Sequence, residues 1–165
     1  MGRPGAAAVV SRAPDGPGDV VGDDGPIVDP RALVPGALMG LVVLVAASVL
    51  DAILDRNLDD YDDSGWRYAL FVVILVGYFA AGYVAGRRAP EAALTNGALA
   101  GTLTFVLWVP VRILIWVARD EHEALFTGSD PVFKPGQIFG HLVIASALGM
   151  LGGVIASRIA AKRST

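Results

Sequence analysis

Two residues stand where either chemistry or a charge pair has to explain them. Asp51 lies inside the apolar run VVLVAASVLDAIL at 42–54, and Arg112 lies inside the apolar stretch 92–118. An acid and a base in lipid-compatible segments allow three readings. The two side chains could pair, since a guanidinium grips a carboxylate with two hydrogen bonds. Both could instead extend to the membrane surface and keep their charges in water. Asp51 could also hold a coupling ion or a proton. One charge at the centre of a membrane helix costs about 2.5–3.5 kcal/mol, less near the interface, and two charges at one depth offset that cost by pairing. Pairing is the expectation.

The remaining candidates are weaker. Asp55, Asn57 and Asp59 occupy positions one, three and five of a calcium-loop pattern, but the sixth position is Asp60 where Gly is needed and the twelfth is Trp66 where Glu is needed. A solvated acidic connector is the simpler reading. His122, in RDEHE at 119–123, has acids beside it, and only His141 could join it at a metal. No serine-nucleophile elbow, phosphate-cradling loop or dinucleotide fingerprint occurs. With no cysteine, disulfides, thiolate metal sites and cysteine nucleophiles are excluded. No catalytic residue, cofactor or nucleic-acid partner is expected.

What must position Asp51 and Arg112 is a set of membrane helices. The chain has 165 residues, 54% of them hydrophobic and 18% charged, too apolar for a soluble domain. The apolar residues form four blocks, at about 32–54, 66–86, 92–118 and 136–157. The first is roughly 35 Å long as a helix, enough to cross the hydrocarbon layer with some tilt. The expected fold is all-α: a four-helix polytopic membrane domain at 32–157, embedded in a lipid bilayer. Residues 1–31 contain eleven Gly or Pro and five Asp, so they are expected to form a disordered tail that cannot offset its chain entropy by burial. The first apolar run begins too late and is too long for a cleaved signal, so it is expected to remain as a span.

The net charge of −3 is unevenly spread. Connector 55–65, DRNLDDYDDSG, carries five acids and one Arg, and connector 119–134 is also mostly acidic. The tight connector at 87–91 carries Arg87 and Arg88, and the basic tail at 158–165 carries Arg158, Lys162 and Arg163. Short basic segments stay inside, so both termini are expected on the cytoplasmic face of a bacterial plasma (inner) membrane.

The chain also resembles itself. GALMG at 36–40 matches GALAG at 97–101, and AGYVAGR at 81–87 matches GGVIASR at 152–158. Two tandem hairpins of like orientation, related by an axis along the membrane normal, would explain both matches. Laying Gly36 on Gly97 then places Asp51 on Arg112. Pro110, which lacks an amide proton, is expected to kink the third span beside Arg112. Small residues let membrane helices approach closely, so Gly82 and Gly86 are expected to meet the ladder Ala145, Gly149, Gly153 and Ser157, within the chain or in a second copy. Gly97 and Gly101 would serve the third span in the same way.

Residues 77–103, GYFAAGYVAGRRAPEAALTNGALAGTL, resemble a class of small four-span bacterial membrane proteins described only as membrane proteins. That resemblance implies the same fold and a plasma-membrane location, and it carries no catalytic residues. The expected role is non-enzymatic, exerted through helix contacts with a second copy or a membrane-protein partner. The alternative is a subunit of an oligomeric transporter or channel that uses Asp51 and Arg112.

Overall fold

The computed structural model describes residues 28–61, 63–118 and 134–163. Residues 1–27 of the expected tail at 1–31 and the expected metal candidate His122 lie outside these residues. The last part of that tail is instead ordered, with Asp29 capping α1 and Pro30 and Arg31 in its first turn. Four helices follow in order: α1, Pro30–Asn57; α2, Trp66–Arg88; α3, Ala93–Ala118; and α4, Pro135–Arg163. Each is long and apolar enough to cross a membrane. The described residues therefore form an all-α, four-helix arrangement.

Local chemistry sets the helix ends. The Asp29 carboxylate accepts a hydrogen bond from Arg31 N at 2.9 Å, and Pro30 takes the first helical position of α1, where no amide donor is needed. Arg87 and Arg88 suit the negative end of the α2 dipole, and Pro90 then forces a single 3-10 turn, Pro90–Ala92, before α3 starts. α3 runs without a break through Pro110.

α1 packs beside α2 and α3, and α4 packs beside the same two helices. Contacts along α1 and α3 ascend together, from Asp29–Asn96 through Ala37–Thr104 to Ser48–Trp108, so these helices run parallel. α2 and α4 are parallel for the same reason, with Gly82 against Gly149 and Gly86 against Gly153. The two hairpins thus lie side by side in like orientation. An axis exchanging them would require α1 to meet α4 just as α2 meets α3. Among the described residues α2 and α3 meet and α1 and α4 do not, so the expected axis is corrected to a lateral offset. The short turn at Pro90 ties α2 to α3, and no equivalent connection ties α1 to α4.

Backbone contact closes the basic half of the bundle. A methyl group on Gly82 would land on the Gly149 carbonyl, and one on Gly86 would lie 2.5 Å from the Gly153 Cα. On its other side α4 meets α3: a methyl on Gly97 would lie 2.5 Å from the Gly149 carbonyl oxygen, and one on Gly101 would overlap the Ala145 carbonyl. Gly149 and Gly153 are therefore wedged between two helices. Ser157 lies one turn beyond the glycine contact. It donates to its own helix at Val154 O, 2.9 Å away, while Gly153 takes the place opposite Gly86.

Above this glycine layer sits a core of Leu44, Tyr78, Phe105 and Ala145, one residue from each helix. Buried Thr104 donates to Ala100 O and lies 3.2 Å from Ala37 O, which joins α3 to α1 without an unsatisfied hydroxyl. The outer surface is apolar, with side chains such as Val42, Leu114 and Phe139 more than 60% exposed, as lipid contact requires and water disfavours.

Glycine substitutions test the packing. Gly82→Ala pushes a methyl into backbone that cannot rotate away, and is expected to lower stability in detergent by about 1–3 kcal/mol. Gly140→Ala, which meets open space, is expected to change it by less than about 0.5 kcal/mol. Thermal unfolding of the two variants checks the contrast.

Candidate functional site

At the end where the acidic connectors attach, the bundle opens into a cavity of about 340 Å³ lined by all four helices. Its rim is polar: Asp51 from α1, Arg67 from α2, Arg112 from α3, with Lys134 and Gln137 at the start of α4. Its walls are Leu70, Phe71, Ile74, Phe105 and Ile138. The floor is the Leu44–Tyr78–Phe105–Ala145 core, so the cavity is blind among the described residues. Ile74 lies roughly 12 Å below the start of α2, at 1.5 Å of rise per helical residue.

The structure brings Asp51 and Arg112 together. Arg112 Nη1 lies 3.9 Å from Asp51 Oδ2, and each side chain is about one-third exposed, 31% and 32%. That separation is an ion pair and too long for a hydrogen bond. The direct bond to Asp51 comes from elsewhere: the Tyr61 hydroxyl donates to Asp51 Oδ1. Tyr61 is buried at 6% exposure, and its turn is held by Ser64, whose N and Oγ reach Tyr61 O at 3.0 and 2.6 Å. Burial, then the hydrogen bond to Asp51 and that carboxylate's charge, push the Tyr61 phenol up to about 12.

One turn deeper, Trp108 Nε1 donates to Ser48 Oγ at 2.9 Å and closes the wall between α1 and α3. Phe105 lies between two rings, with Trp108 at 6.1 Å and the His141 imidazole stacked at 6.2 Å. Phe71 meets His141 edge-on at 6.3 Å, closing the wall between α2 and α4. His141 Nδ1 is 2.8 Å from Gln137 O, so one ring nitrogen is held by its own helix.

The other candidates are not gathered. The Asn57 amide donates to Ile53 O at 2.6 Å, back onto α1 and away from Asp55 and Asp59. No group of three or more metal-binding side chains assembles among the described residues. Tyr61 and the Ser48–Trp108 bond were not foreseen. The clue to Tyr61 was a lone aromatic ring in an otherwise acidic connector, and the clue to the second pair was its 60-residue separation, close to that of Asp51 and Arg112.

Comparison with protein-family models, with curated proteins and with solved structures finds no match to the chain.

Tyr61 gives a pH test. Its folded value lies above the ordinary value of 10.0, so the fold favours the neutral phenol. The resulting stabilisation is complete below pH 10 and is lost as pH rises through about 12. Phenolate absorbance should show a late-titrating tyrosine that Tyr61→Phe removes. The same change deletes a hydrogen bond to a partly exposed carboxylate and is expected to lower stability by about 1 kcal/mol at neutral pH.

Proposed function

We propose that this chain is a non-enzymatic, multi-pass protein of the bacterial cytoplasmic membrane that binds a small molecule in the cavity beside Asp51 and Arg112. Both termini lie on the cytoplasmic side, and the cavity opens outward. One observation carries the reading: a polar-rimmed, apolar-walled cavity ends on a packed core, and beyond that core the helices are in backbone contact. Such a shape suits recognition, because ligand sites are mostly apolar concavities with a few placed polar groups. It does not suit passage through a single chain, which needs a polar route across the whole bilayer.

Lateral association through glycine faces is less favoured, because Gly82, Gly86, Gly97, Gly101, Gly149 and Gly153 are already used within the bundle. A second copy or another membrane protein would have to dock on the bulkier apolar exterior. The alternative role, a subunit of an oligomeric transporter, draws support from the partly exposed Asp51–Arg112 pair.

Two measurements test this. The chain lacks cysteine, so Asp60→Cys supplies a single label site in an exposed part of the first connector. A membrane-impermeant maleimide is expected to label it from outside intact cells, and labelling only after lysis would reverse the orientation. Liposomes containing the protein are expected to show the ion permeability of empty ones. Flux that Asp51→Asn abolishes would replace the binding reading with the transporter.

A further inference from the structure

Arg112 is the least satisfied cation at the cavity. Among the described residues its one polar partner is Asp51, at 3.9 Å, so its guanidinium makes no hydrogen bond although it carries five donors. Asp51 does not depend on it, because Tyr61 already donates to the carboxylate. Arg67 and Lys134, each engaged in another interaction, add positive charge to the same rim. Arg67, Arg112 and Lys134 thus line the rim together with the carboxylate of Asp51. Below it the walls are aromatic and branched apolar side chains, with Phe71 and Phe105 facing a space of about 340 Å³. That volume is at the small end of the range for small-molecule sites, roughly 300–1,000 Å³.

We infer that the cavity takes an organic anion, a carboxylate or phosphate monoester on a compact apolar body, with the acid group bound by the Arg112 guanidinium. This deepens the binding reading proposed above and rests on it. Two anion oxygens match the planar fork of Arg112, a geometry in which paired N–H donors give both strength and direction. The apolar body lies among the walls formed by Leu70, Phe71, Ile74 and Ile138. Asp51 is a resident competitor: it lies close enough to hold Arg112 in place and too far to saturate it. A cation is the wrong guest, since the carboxylate already has a donor and a guanidinium beside it. The walls bear on the route of entry. Ser48–Trp108 closes the side between α1 and α3, and Phe71–His141 closes the side between α2 and α4. The same chemistry could arrive as a soluble acid or as an anionic lipid.

Isothermal titration of the full chain in dodecyl maltoside separates the possibilities, with benzoate, phenyl phosphate, benzyl alcohol and benzylamine as probes. Benzoate and phenyl phosphate are expected to bind about tenfold or more tighter than the alcohol or the amine, and Arg112→Gln is expected to erase that preference. Because Arg112→Gln could weaken folding, Asp51→Asn is the second variant. It removes the competing charge and is expected to tighten benzoate binding about threefold or more, a gain that loss of fold cannot imitate. If benzyl alcohol binds as tightly as benzoate and Ala47→Phe blocks both, the cavity reading stands and the anion assignment falls. Should no probe bind the wild-type chain, both fall. Unchanged or weaker benzoate binding in Asp51→Asn also overturns the assignment. Repeating the titration in phosphatidylglycerol and phosphatidylcholine nanodiscs identifies the source. Equal affinity in both points to a soluble acid, and loss in phosphatidylglycerol points to a lipid headgroup at Arg112.

Discussion

Backbone-to-backbone contact at the glycines of α4 is the constraint on which the other features depend. In lipid, burying apolar side chains gives little driving force, so helices associate where small residues let their main chains approach and gain dispersion contacts. Gly149 and Gly153 are enclosed on both sides, by Gly82 and Gly86 of α2 and by Gly97 and Gly101 of α3. This double contact draws three helices together in the basic half. α1 joins through Gly36, where a methyl would sit 2.6 Å from Ala81 O, and through Gly40, which lies against Thr104.

The cavity follows from the same constraint applied unevenly along the axis. Towards the acidic connectors the facing residues change from glycine and alanine to Leu70, Phe71, Phe105, Trp108 and Ile138. These large side chains line a space of about 340 Å³ that they do not fill. The polar groups then collect at that end, where water is near and a charge is affordable. An ion pair at 3.9 Å with both partners a third exposed contributes modestly to stability, as exposed pairs generally do.

Much of this was legible in the residue order, and for identifiable reasons. Four apolar blocks gave four helices, since a membrane-length run has no other way to satisfy its backbone. Three of the four helices extend beyond their apolar blocks, as α1 does from Leu54 to Asn57, because backbone hydrogen bonding does not stop where hydropathy falls. The glycine ladder pointed to α2 meeting α4, but a pattern that repeats every four residues does not say which rung faces which; the structure sets Gly82 on Gly149 and Gly86 on Gly153. Matching phrases suggested an exchange axis that the bundle lacks, because similar hairpins can sit side by side as readily as face to face.

The sequence by itself determined that the chain is a bundle of four apolar helices, and which faces are smooth enough to touch. It also placed an acid and a base fifteen residues from matching glycines, which sets their depth in parallel helices. Only the tertiary structure decided that Asp51 takes its hydrogen bond from Tyr61, that Ser48 meets Trp108, and that a blind cavity opens between them and α4. Periodicity reports which side of a helix is apolar, and it carries no information on how far apart four axes stand. That spacing depends on side-chain volumes from all four helices at one level, and those meet only when the chain has folded.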